Sequence, residues 1–315
     1  MTVKQAFSFS TRDCIKIMLA CGVLQIAAYY FAGTLASSGK HLAVPQPDTP
    51  LYYQSARQIV EGVPYVYSPG DKPSTGCTSH LYPFVLAVLY KAGATGDALL
   101  TAGFFLNALF FLLFLANWGV VANRLTTSPQ AKMAACALLA LNGQAVFGAL
   151  AQSDVGLFMA VSSSLLVALL SGPGIGFAIL LVISPWCRPE GILFSVVFVG
   201  ILLARRWLWQ QRVLSKEWGI ACLALLSTLG MFAFNYWLTG FVQFQSVYAK
   251  GYFKYYSLFP ALNLLLSDGI RIGRELFLGL PIEQPRECFF LPLFGALFAW
   301  LGILTRPWSR GGDVW

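Results

Sequence analysis

Asp48, Asp154, Arg188, Glu190 and Lys250 are the residues of this sequence whose types and settings could do chemistry. Only 11% of the chain is charged, against about 25% in a soluble domain, so a charge set among apolar runs needs a reason to be there. Asp48 follows the first apolar run, where a carboxylate can take a proton from an acceptor hydroxyl. It can equally cap the helical segment that begins there, and a helix N-terminus keeps such a carboxylate ionised. Arg188 lies between two apolar stretches. Its planar fork suits the oxygens of a leaving phosphate, and the alternative is an ion pair to Glu190 or Asp154 that fixes a turn. Lys250, among Tyr248, Tyr252, Tyr255 and Tyr256, can hold a phosphate or anchor its loop at lipid headgroups. Asp154 can orient an acceptor, share a divalent cation (Mg or Mn) with Asp48, or cap the helix it begins. His80 is a further candidate, weighed against an incidental loop histidine. Asn107, Asn142, Gln144 and Asn235 read as hydrogen-bonding groups between helices.

The elements that position these groups follow from composition. With 57% hydrophobic residues and a mean hydropathy of +0.66, a chain of 315 residues cannot be a soluble protein, and much of its surface must face lipid. Apolar runs near 14–37, 98–121, 133–151, 154–171, 217–239 and 289–304 suit membrane-crossing helices. A longer run, 174–204, exceeds one crossing and carries Arg188-Pro189-Glu190 inside it, so it reads as two helices, 174–186 and 190–204. About eight spans result, in one all-α polytopic membrane domain over 1–315. Lys4, Arg12 and Lys16, then Arg124 and Lys132, then Arg205, Arg206, Arg212 and Lys216, then Arg306 and Arg310 all fall on one side of this arrangement. The positive-inside rule makes that side cytoplasmic, with both termini. The net charge of +8 is thereby mainly topology, and because it forms no single basic stripe, nucleic acid is not an expected partner. Two long loops, 38–97 and 240–288, lie on the extracytoplasmic side. The second includes Arg271, Arg274, Glu275, Glu283, Arg286 and Glu287, a mixed-sign set that reads as a solvated face.

In the first outer loop, Asp48 or Thr49 caps a helix that has Pro50 near its start and Gly62 as its stop. Tyr52, Tyr53, Ala56, Ile59 and Val60 share one face of it, so it should lie on the membrane surface. Leu81–Tyr90 is too short to span and suits a second interfacial helix, with Tyr82 and Tyr90 at headgroup level. Seven cysteines show no CxxC spacing, which disfavours a zinc site, although a Cys77–Cys187 disulfide outside the membrane is conceivable.

Asp48-x-x-x-Tyr52-Tyr53, Ala56-Arg57, Gly62, Tyr67-Ser68-Pro69-Gly70-Asp71 and Thr78-Ser79-His80-Leu81-Tyr82 resemble the first periplasmic loop of GT-C glycosyltransferases that use polyprenyl-phosphate sugars, above all the arabinofuranosyl and mannosyl transferase branch. Gln152-Ser153-Asp154, Arg188-Pro189-Glu190-Gly191, and Tyr236 to Gly240 followed by Tyr248-Ala249-Lys250 resemble later motifs in the same order. The resemblance covers roughly 14–255. It departs from the family pattern where Asp71 stands for Glu, His80 for Pro and Tyr82 for Trp. It implies a GT-C-like fold and inverting transfer of a sugar from a polyprenyl-phosphate donor to an extracytoplasmic glycan, lipid or protein acceptor. Asp48 would be the general base, Arg188 and Lys250 would face the donor phosphate, and Asp154, Glu190, His80 and Tyr52 would lie on the acceptor side. A bacterial inner-membrane location is expected, and the chain reads as a short or C-terminally truncated member. The competing expectations are a transporter or flippase of lipid-linked sugars, for which no inverted repeat is visible, and a non-catalytic scaffold.

Overall fold

The computed structural model describes residues 10–36, 48–68, 70–140, 142–208, 210, 212–245 and most of 257–267. Lys250, the charged segment from Arg271 to Glu287 and the run 289–304 lie outside the described residues. Among the described residues there are ten α-helices with defined bounds, one short 3-10 turn, further helical residues at 258–260, 262–264 and 266–267, and no strand.

Helix α1 (Thr11–Ala36) starts at a reciprocal cap. Ser10 donates its backbone N–H and its hydroxyl to Asp13, and Asp13 N–H returns a bond to Ser10 Oγ. Helices α2 (Thr49–Val60) and α3 (Leu81–Lys91) occupy the first loop, and α4 (Asp97–Leu125) is the longest element. The run 133–151 is not one helix but two, α5 (Pro129–Ala140) and α6 (Gly143–Leu150). Asn142 is the reason: its side chain accepts from Ala145 N–H at 3.0 Å and caps a new start, a local role rather than the interhelical one expected. Helix α7 (Asp154–Leu170) is followed by α8 (Ile175–Cys187), the 3-10 turn Pro189–Gly191 and α9 (Ile192–Trp207), so the run 174–204 does divide at Arg188-Pro189-Glu190. Gly191 is obligatory there, because a Cβ would collide with the carbonyl of Ser184, whose hydroxyl also donates to Gly191 O at 3.1 Å. Helix α10 (Ser215–Thr239) begins with Glu217 accepting from Leu214 N–H and ends on Gly240, whose φ of 76° closes it in the left-handed region.

Three helices, spanning Thr11–Leu35, Asp97–Leu125 and Ser215–Thr239, are long and apolar enough to cross a membrane. Their outward faces carry Leu24, Phe31, Leu109, Leu226 and Trp237 in exposed positions, a surface for lipid rather than water. The described residues are thus all-helical, with three helices of the kind that suits a membrane protein. The helices pack around three clusters: α1 with α4, α5 and α6; the first-loop helices with α4 and α7; and α7 with α8, α9 and α10. Arg205 binds Glu217 at 2.7 Å and so ties α9 to α10.

Helix α2 does not rest on lipid as its apolar face suggested. Tyr52, Tyr53 and Ala56 are buried against α3 and the neighbouring helices, where the two phenol hydroxyls find partners that lipid could not supply. Tyr82 likewise sits at 0% exposure rather than at headgroup level, accepting from Asn107 Nδ2 at 2.7 Å and meeting Tyr52 edge-on.

Candidate functional site

The site is assembled where the start of α7, the 3-10 turn and the first loop meet. Ser153, with extended backbone, caps α7 by accepting from Val155 N–H at 3.4 Å. Capping is thus done by Ser153, and Asp154 at the first helical position turns its carboxylate elsewhere. Asp154 is 1% exposed. Its Oδ1 accepts from Arg188 Nη1 at 2.7 Å, and its Oδ2 accepts from Thr78 Oγ1 at 2.8 Å. Thr78 in turn accepts from Tyr52 OH at 2.8 Å, which completes a Tyr52–Thr78–Asp154 chain of hydrogen bonds from α2 to α7. Tyr52 carries a hydroxyl whose pKa is raised by burial and by the nearby Asp154, so it remains a neutral donor.

Arg188 bridges two acids. Its Nε and Nη2 hold the two oxygens of Glu190 at 3.2 and 3.0 Å, a forked pair, while Nη1 holds Asp154. Burial opposes the guanidinium charge, but Glu190 and Asp154 outweigh it and raise its pKa. Burial likewise pushes Glu190 up, and its bonds to Arg188 more than reverse this and lower it. Both ion pairs that the sequence offered as alternatives to phosphate binding are therefore formed.

Asp48 stands at the N-cap of α2 but makes no side-chain capping bond, and it is exposed. The next residue, Thr49, is buried and donates to Ala151 O at 3.1 Å, three residues before Asp154. Cys77 is pushed up to about 11 chiefly by burial, with the fields of Asp154 and Asp48 both adding to it. Both oxygens of Asp154 accept hydrogen bonds, Oδ1 from Arg188 and Oδ2 from Thr78. Among the described residues no three His, Cys, Asp or Glu side chains gather as metal ligands. Cys77 and Cys187 are free, buried thiols.

His80 belongs to a different arrangement. At 2% exposure it is enclosed by Tyr65, Trp186, Phe234 and Phe244. Asn235 donates its Nδ2 to Val242 O, so its Oδ1 faces His80 and accepts from Nε2 at 2.7 Å. Nδ1 then accepts from Tyr65 OH at 2.9 Å. His80 is a neutral core histidine, held down to about 4 by burial against a smaller opposing effect of Asn235. Its cluster, together with the reciprocal bonds between Thr75 and Gln245, fastens residues 241–245 onto the first loop.

Sequence reasoning did not single out Thr78 as a bonding partner of Asp154, nor Gln152. Gln152 is 1% exposed with a φ of 57°, and its Oε1 accepts from Tyr53 OH at 2.9 Å. Hydroxyl and amide residues beside an acidic motif were the available signal. No family model, no curated protein and no solved structure matches this chain.

Proposed function

We propose that this chain is a multi-pass membrane glycosyltransferase with a GT-C-like arrangement of about eight spans, which moves a sugar from a polyprenyl-phosphate donor to an extracytoplasmic acceptor. The observation that carries this reading is the Asp154–Arg188–Glu190 group, with Asp154 buried and Glu190 half exposed, tied through the Thr49–Ala151 bond to the start of α2, where Asp48 is exposed and makes no side-chain capping bond. In the proposed step the acceptor hydroxyl gives its proton to Asp48 while its oxygen bonds to the anomeric carbon. The bond from that carbon to the phosphate oxygen breaks, the electron pair leaves with the polyprenyl phosphate, and the configuration inverts. Arg188 orients Asp154 and directs its remaining N–H groups toward the departing phosphate, and Lys250 adds a second cation. Tyr52, through Thr78, keeps Asp154 in place as an acceptor-side anchor.

The test is the purified protein in liposomes with radiolabelled polyprenyl-phosphate sugar and an acceptor. Label should move to the acceptor, and Asp48→Asn should reduce this at least about 100-fold without altering folding. Normal transfer by Asp48→Asn removes the base. Passage of the lipid-linked sugar across the bilayer without transfer would favour a flippase instead.

A further inference from the structure

Gln152 is one of three non-glycine residues with left-handed backbone among the described residues, with Tyr65 and Gln210, and it is the buried one. A glycine would adopt this conformation without strain. The side chain adds a second cost, since its Nε2 is buried and has no hydrogen-bond partner while its Oε1 takes the Tyr53 hydroxyl. A strained backbone and an unmet donor in one buried residue are not what packing alone would select.

The position explains what the cost secures. Residues 151–154 join α6 to α7, and α2 with its loop grips them at three points. Thr49 Oγ1 holds Ala151 O, Tyr53 OH holds the Gln152 side chain, and the Tyr52–Thr78 pair holds Asp154. The left-handed turn at Gln152 separates the first of these grips from the last. The backbone must reverse there for Ala151 O to reach the start of α2 while Asp154 reaches Thr78. Asp48 directly precedes the first grip, and Asp154 is the last.

We infer that Gln152 is a positioning residue, whose left-handed backbone and bond from Tyr53 set α2 in register with the start of α7 and thereby fix Asp48 relative to Asp154. This rests on the transferase reading for its catalytic consequence, though the register itself is a property of the fold. Gln152→Gly relieves the strain and removes the Tyr53 bond. Tyr53→Phe removes the same bond without touching the backbone at 152.

Hydrogen–deuterium exchange of both variants in nanodiscs tests the register. Amides at the start of α2, residues 51–54, should exchange at least about threefold faster, with the distant α10 unchanged. Unchanged exchange at 51–54 in both variants overturns the inference, whether or not the protein transfers sugar. The radiolabel assay supplies the second readout. Gln152→Gly should lower kcat about ten- to 100-fold with KM held within twofold and without loss of thermal stability, as misplacement of a reacting group does. Unaltered kcat in an active protein overturns it, and so does a fall in stability with kcat preserved, since a purely structural residue behaves that way. Absence of transfer by the wild type, with the exchange result as expected, would count against the transferase reading alone.

Discussion

Replacing Arg188 by Met separates two roles that its geometry combines. Asp154 has a side-chain exposure of 2%, and its Oδ1 relies on Arg188 Nη1 at 2.7 Å. Removing the cation leaves a buried carboxylate with Thr78 as its remaining partner. Loss of one member of a fully buried pair costs about 3–5 kcal/mol. Arg188 keeps 20% of its side chain exposed, so water tempers the penalty and the lower end, about 3 kcal/mol, is the expected loss. Asp154→Asn in the same chain removes the stranded charge, and the double variant should recover about 2 kcal/mol of it. Glu190, half exposed, can turn to solvent when Arg188 is lost and contributes little to this sum. Equilibrium unfolding of the four proteins in mixed micelles measures both quantities. If Arg188→Met unfolds as the wild type does, Asp154 is not a charge that Arg188 stabilises, and the ion-pair account of this turn is refuted. A residue present only to meet phosphate would cost activity and leave stability alone.

Two further perturbations probe the supports around the site. His80 has its pKa depressed to about 4 when folded, against about 6.5 in an unfolded chain, so the unfolded state binds more protons between these values. Stability should therefore be complete above about pH 6.5 and fall as pH drops toward 4, by at most about 3 kcal/mol, and His80→Asn should flatten that part of the unfolding profile. Gly191→Ala would drive a Cβ into the Ser184 carbonyl and should cost about 1–3 kcal/mol in the same unfolding experiment. Gly176→Ala, which meets nothing within 4 Å, should lose no stability, and equal effects of the two would contradict the tight α8–turn contact.

Long-range arithmetic and local punctuation explain which features were legible in the sequence. Hydrophobic runs placed α1, α4, α7 and α10 to within a few residues, and the charged Arg188-Pro189-Glu190 interruption correctly divided a run too long for one helix. An Asn inside an apolar run looks like an interhelical donor, whereas the partner of Asn142 is the Ala145 amide three residues on. Periodicity identifies the apolar face of α2 without identifying what covers it, so it points to the lipid surface where protein in fact covers the face. The tyrosines on that face held the missing clue: two buried phenols require polar partners, and those lie about 26 and 99 residues away, beyond any local pattern. The five ionisable candidates were found by scarcity of charge, but their pairing was open, since Asp154 and Arg188 are 34 positions apart.

That pairing changes the electrostatics assigned to the site. As isolated groups, Arg188 looked like a cation available to an anionic donor. With Asp154 and Glu190 both bonded to it, two acids share one base. Such a group attracts and orients a hydroxyl-bearing acceptor more readily than it attracts a phosphate. A polyprenyl phosphate entering there needs positive charge from another part of the chain. Lys250 is the cation the sequence offers for that role, five positions after Gln245, which exchanges hydrogen bonds with Thr75. In the proposed transferase, Arg188 thus acts first as the lock that aligns two carboxylates, and the main charge opposing the leaving phosphate falls to Lys250. Lys250→Gln should accordingly weaken donor use, seen as a raised donor KM in the radiolabel assay, more than it weakens acceptor use; an equal effect on both would return the phosphate to Arg188.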